Sequence, residues 1–231
     1  HITKRSLAIG LSPFLYNIAH CFVVMIINNQ LKDYGGDLAI ASYGVINRIV
    51  FVFAMIIMGL NQGMQPITGY NYGAKQYDRM LRSFYLTCLY ATGVMAIIFI
   101  LGECFPRQIT QIFTHDINLI EQTITPMRII CSTMLIIGFQ MVAGNFFTSI
   151  GMAGKSIFLS MTRQVLFLIP LLLFVPLLFE NPVLGVWWAI PISDTMAAIT
   201  AAIMLGISIK RFRGLINEQE AWKVTCPPEP D

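Results

Sequence analysis

Six stretches of this chain are almost free of charge, and each is long enough to cross a lipid bilayer. Residues 6–31, 83–102 and 129–154 hold no Asp, Glu, Lys or Arg. Residues 38–74 hold only Arg48, residues 156–179 only Arg163, and residues 181–209 only Asp194. A helix crossing hydrocarbon needs roughly 20 apolar residues, at a rise of about 1.5 Å each. Backbone amides cannot be left open in lipid, so each run is expected to be helical. Strands of a membrane barrel are about 10 residues long with strict alternation, and these runs are longer and more uniform. Composition agrees: 12% of the residues are charged, half of the roughly 25% usual in a soluble domain. The expected fold is an all-α membrane protein with six transmembrane helices. They fall at about 6–31, 38–70, 83–103, 126–151, 156–179 and 183–209, making one bundle over residues 1–213. The polar stretch 214–231, with its closing prolines, reads as a tail without regular structure.

Six crossings put both ends of the segment on one side. That side carries Lys4, Arg5, Lys75, Arg79, Arg82, Lys155, Lys210, Arg211, Arg213 and Lys223, whereas the other carries Lys32, Arg107 and Arg128. The excess of Lys and Arg marks the first side as cytoplasmic. "KDYGGD" (32–37) reads as a Gly-Gly turn, "FENP" (179–182) as a tight turn, and "PRQITQIFTHD" (106–116) as a loop holding a short interfacial helix. The net charge of +3 gives no basic patch that would suit nucleic acid. The five cysteines are scattered without metal spacing, so neither a zinc site nor a disulfide framework is expected. The chain opens on His rather than Met, and a longer natural chain is expected.

The second run is too long for one crossing. It closes on "GLNQGMQPITGYNYGAK" (59–75), where Gln62, Gln65, Pro66 and Asn71 interrupt the apolar pattern. Pro66 lacks a backbone donor and disfavours helix at Gln65. Two readings stay open. The helix breaks at Gly63–Pro66 and forms a gate, as interrupted helices do in transporters. Alternatively it runs on into the cytoplasm and stops at Gly73.

Ionisable groups inside apolar runs are costly, and they mark pathways or buried pairs. Asp194 lies in the middle of the sixth run and is expected to pair with Arg163 or Arg48, or to face water as a cation site. Arg163 and Arg48 can also run out toward the interfaces. Gln164, beside Arg163, fits a helix–helix hydrogen bond or a pathway contact. Asn17 and His20 fall three residues apart, on one face of the first run. His20 there is either a bonded core group or a proton-titrating one.

"GLNQGMQPITGYNYGAKQYDR" (59–79), "NNQLKDYGGDLAIASYGVINRI" (28–49), "SMTRQ" (160–164) and "GVWWAIPISD" (185–194) together resemble the multidrug and toxic compound extrusion (MATE) transporters, in their bacterial multidrug-exporter branch. The likeness runs from about residue 5 to 213. It implies that the six runs are helices seven to twelve, the C-terminal lobe of a two-lobe transporter whose N-terminal six-helix lobe is absent here. It further implies no cofactor, a bacterial plasma-membrane location, and efflux of amphipathic or cationic small molecules by alternating access, driven by H+ or Na+. Relatives that bind sodium through acids on the seventh and tenth helices differ from this chain, whose first and fourth runs hold none; only Glu121 lies near the start of the fourth.

Two alternatives stand beside export. One is flipping of lipid-linked oligosaccharides or precursors, as in the wider superfamily, which would use a cationic cleft. The other is an inactive truncated lobe. The motifs of a zinc protease, a serine hydrolase or a phosphate-binding loop do not occur in the sequence, so an enzyme is not expected.

Overall fold

A computed structural model describes residues 2–225, all helix apart from short connections. The helices are α1 (Ile2–Gly73), α2 (Tyr77–Cys104), α3 (Pro106–Phe113), α4 (Ile117–Cys131), α5 (Met134–Ser149), α6 (Ala153–Met161), a π segment (Thr162–Leu168), α7 (Ile169–Leu178) and α8 (Pro182–Thr225).

α1 is two antiparallel helices joined at Gly36, the one residue within it whose backbone leaves the helical region (φ 68°, ψ −166°). The neighbours show the reversal. His20 lies against Gln164, Gln30 donates to the Leu172 carbonyl, and Gly35 abuts Val183, so residues 20–35 climb alongside the fifth crossing. Tyr43 then meets Trp187 and Tyr72 meets Phe212, so the second half descends alongside α8. With α4 and α5 taken as one pass bent by 51°, five helices among the described residues are apolar and long enough to cross a membrane. The longest of the five covers Phe14–Gly73, and the reversal at Gly36 divides it. The chain therefore forms six passes. Backbone at positive φ with ψ near 180° is open essentially only to glycine. Gly36→Ala is expected to cost on the order of 2 kcal/mol, seen as a lower melting temperature of the detergent-solubilised protein with no change in helix content.

Of the two readings of this segment, the uninterrupted helix holds, and no break occurs at Gly63–Pro66. α1 stays helical through this segment, and the ring of Pro66 sits on an exposed face where its missing donor costs one ladder bond. The helix ends at Gly73 and is closed by a six-residue turn that begins at Asn71. Gln76 N–H bonds the Asn71 carbonyl, Lys75 N–H bonds the Tyr72 carbonyl, and Lys75 takes the left-handed φ of 57°. Lys75, not Gly73, is thus the turning residue. α5 ends by the same device at Gly151 (φ 76°), with Met152 N–H on the Phe147 carbonyl.

Two other expectations shift. The fourth pass begins at Ile117 rather than near 126, and the stretch from 214 continues α8 as helix to Thr225 instead of losing structure. Glu, Gln, Ala and Lys there are strong helix formers, and Leu215 and Ile216 pack partly against the core. Residues 226–231 lie outside the described part. The short interfacial helix and the two turns stand where expected, as α3, Gly36 and residues 179–181.

Between lipid-soluble helices the hydrophobic effect is weak, and close packing holds the bundle. An aromatic chain pins spans two, three, four and six at the end rich in Lys and Arg: Tyr72, Tyr77, Phe212, Phe146 and Phe84, with successive ring centroids 4.8–6.5 Å apart. Four cysteines, Cys21, Cys88, Cys104 and Cys131, are free thiols.

Candidate functional site

The fifth pass changes register where its polar residues lie. Pro170 has no N–H for the Leu166 carbonyl. The N–H of Ile169 turns instead to the carbonyl of Gln164, five residues back. The resulting π segment bulges the helix, and such bulges often occur at functional sites. It directs Arg163 and Gln164 inward between the first and sixth passes.

Arg163 Nε donates to Asp194 Oδ1 at 2.7 Å, and Gln164 Nε2 lies 3.4 Å from His20 Nδ1. Asp194 is 1% exposed, whereas the Arg163 side chain keeps 20%. Asp194 sits 12 residues beyond Pro182, about 18 Å along the helix and thus near the middle of a bilayer. Arg163 therefore spans inward to a carboxylate and does not run out to an interface. Two oxygens here, Asp194 Oδ2 and Gln164 Oε1, are buried without a hydrogen-bond partner among the described residues. A buried acceptor left open is expensive, so each is a place where a donor or cation would be held.

His20 lies at the exposed margin of this cluster, stacked on Tyr16 with ring planes 2° apart. Asn17, one turn before it, is also exposed. The structure thus brings four of the expected residues together: Asp194, Arg163, Gln164 and His20. Tyr16 was not among them, although an aromatic four residues before His20 on one helical face is a readable signal.

Arg48 is not part of the cluster. It is exposed and forms no ion pair among the described residues, where Arg107–Glu121 and Arg163–Asp194 are the pairs found. Twelve residues separate it from Gly36, again about 18 Å, so it stands at the depth of Asp194 rather than near the interface. Met55, Gln62 and Pro66 continue the same exposed stripe at heptad-like spacing.

Gln65 and Asn71 of span two turn inward instead. Gln65 donates to Asn145 at 3.3 Å, and Asn71 bonds back to the Ile67 carbonyl of its own helix. On the same face Asn61 and Thr68 are buried with side-chain polar atoms unpartnered among the described residues. Sequence reading passed over Asn61, Thr68 and Asn145; the i, i+4, i+7 spacing of Asn61, Gln65 and Thr68 is the pattern that marks them.

Comparison with known proteins places this geometry. The MatE family model matches residues 9–174. The chain is 27% identical over 213 residues to the multidrug export protein MepA of Staphylococcus aureus (strain MSSA476), covering 92% of this chain and 46% of that protein. It is 25% identical over 212 residues to MepA of Staphylococcus saprophyticus subsp. saprophyticus (strain ATCC 15305). In structure it is similar to the MATE multidrug transporter DinF-BH, solved as a ligand complex (TM-score 0.77, 36% identity, 88% of this chain and 45% of that one). A MATE solved in a bent conformation shares the fold at TM-score 0.86 and 20% identity, over 92% of this chain and 47% of the other. The chain spans about half the length of the curated relatives it matches.

Proposed function

The chain belongs to the MatE family, and from that premise we propose that it is the C-terminal six-helix lobe of a bacterial multidrug exporter. In this reading it works with an N-terminal six-helix lobe, in the plasma membrane, with both ends of the segment cytoplasmic. It moves amphipathic or cationic small molecules outward by alternating access, in exchange for H+ or Na+.

The observation that carries the reading is the set of charged groups at mid-depth. Arg48 is exposed on the lobe, about 18 Å along the helix from the turn at Gly36, where lipid would strongly disfavour a guanidinium. That face is therefore best explained as the wall of a wet cleft, with Gln62 and Pro66 further along it. Among spans one, five and six, the half-satisfied Asp194 carboxylate offers one oxygen to Arg163 and keeps one open. A proton or sodium ion taken up there competes with Arg163, and loosening that pair would couple an ion to the packing of spans one, five and six. Lipid-linked flipping draws less support. A pyrophosphate cleft would be cationic, whereas Asp194 already neutralises one of the two intramembrane arginines.

Uptake of a lipophilic cationic dye into everted vesicles from cells expressing the protein tests the mechanism. Accumulation is expected to fall to background either when a protonophore collapses the proton gradient or when sodium is withheld. Accumulation that survives both treatments removes antiport.

A further inference from the structure

The end of the bundle rich in Lys and Arg carries a groove that the export reading does not use. It lies between the start of α2 and the C-terminal stretch of α8, with a volume of about 680 Å³. Arg82 and Arg213 flank it from opposite helices, and Tyr85, Leu86 and Leu89 form its floor. The α2 residues fall at 82, 85, 86 and 89, one face of a helix. Leu89 lies seven residues past Arg82, about 10 Å deeper along the helix. The groove thus grades from guanidinium through phenol to aliphatic surface.

Three features point to the occupant. Neither Arg82 nor Arg213 has a carboxylate within ion-pair distance among the described residues. Arg213 instead reaches the Tyr85 hydroxyl at 3.5 Å, which holds it over the mouth of the groove. Asp78 lines the same mouth four residues before Arg82, away from the apolar floor, and pairs with neither arginine. Tyr85, Leu86 and Leu89 are 44%, 45% and 67% exposed, so the floor is open to a chain-like partner. Two free guanidiniums suit a phosphate, since each can give it a bidentate pair of hydrogen bonds. An apolar trough leading from them into the hydrocarbon suits an acyl chain, as in basic inter-helix pockets that hold acidic headgroups.

We infer that this groove binds an anionic phospholipid, its phosphate between Arg82 and Arg213 and one acyl chain along Tyr85, Leu86 and Leu89. The lipid belongs to the leaflet at the basic end of the bundle. Bound there, it bridges the third and sixth passes where α8 leaves the membrane.

Native mass spectrometry of the full chain released from nanodiscs tests this, with phosphatidylglycerol or phosphatidylcholine as the probe. The wild type is expected to retain phosphatidylglycerol in preference to phosphatidylcholine. Replacing both arginines (R82Q with R213Q) should weaken retention roughly 30-fold, through loss of two charge-assisted guanidinium–phosphate contacts. The conservative pair R82K with R213K should restore part of it. K210Q with R211Q removes the same charge from α8 outside the groove, where exposed charges are screened and touch no bound phosphate, and should change retention by less than about twofold. Equal loss in both double glutamine variants would show only a general surface field and overturn the site. So would equal retention of the two lipids by the wild type, a measurement that needs no variant to fold. Displacement of the lipid by inorganic phosphate alone would show a soluble-anion site and equally overturn the proposal.

Discussion

Asp194→Leu is expected to destabilise the bundle more than Arg163→Met, although both break the same ion pair. The reason lies in what each leaves behind. Without Asp194, a guanidinium remains between spans one, five and six at mid-depth and cannot give up its proton. Removing one partner of a buried pair costs about 3–5 kcal/mol for that reason. Without Arg163, the carboxyl of Asp194, 1% exposed, can shed its charge by binding a proton. What remains is a buried polar group, at a cost of about 1–3 kcal/mol. The double variant Asp194→Leu with Arg163→Met leaves no charge behind and should recover most of the loss, since apolar replacement of a buried pair is often neutral. Thermal melts of the four proteins close a double-mutant cycle. The order predicted is wild type close to the double variant, then Arg163→Met, then Asp194→Leu. If Arg163→Met were the weaker protein, Arg163 would be reaching water through its 20% exposed side, and the picture of a sealed pair would fail. Under the proposed function all three variants lose ion-driven dye accumulation, so the double variant separates stability from coupling: it folds but does not pump.

How far sequence reaches is clearest at this pair. An uncharged run of 20 or more residues has few fates, because hydrocarbon is about 30 Å thick and tolerates no open amide. That is why the six passes, the turn near Gly36 and the turn before Pro182 could be read in advance. The partner of Asp194 could not. Arg48 and Arg163 are both intramembrane, and chain distance says nothing about which face each occupies. Helical phase settles it: Arg48 falls on an exposed stripe, whereas Arg163 is turned inward by a π segment. Such a segment has no residue signature of its own, since it depends on where the neighbouring helices leave room for an extra residue. Pro170 was a hint, and it became legible only with Gln164 seen bonding Ile169.

Pro66 left two readings open, and packing decides between them. Loss of one ladder bond is small against the packing of a helix that buries Met64, Thr68 and Asn71 against its neighbours, so the helix persists through it. The stretch after 214 departs from expectation. Polar character suggested loss of structure, yet polar residues with strong helix propensity extend an existing helix without a new nucleus.

Gly185→Ala is expected to cost about 3 kcal/mol, the upper end of overpacking penalties, while Gly206→Ala on the same helix should stabilise by up to about 1 kcal/mol through propensity. A Cβ on Gly185 would stand 2.6 Å from Pro176 Cα, and 3.0 Å from both Pro176 N and the Val175 carbonyl oxygen. All three are backbone atoms, so no rotamer change makes room, and α7 must move off α8. Gly206 has nothing within 4 Å of its Cβ position. The two helices are joined by residues 179–181 alone, so a wedge at Gly185 acts close to the hinge of a tight hairpin and is amplified along it. Asp194 sits nine residues further along α8, and Arg163 lies on the partner pass. The 2.7 Å hydrogen bond between them should therefore lengthen, giving Gly185→Ala a loss of ion-driven dye accumulation beyond what its melting temperature accounts for. Equal shifts in the two glycine variants would mean that α7 and α8 are free to slide, and that the ion pair is held in place by its own attraction rather than by the hairpin that presents it.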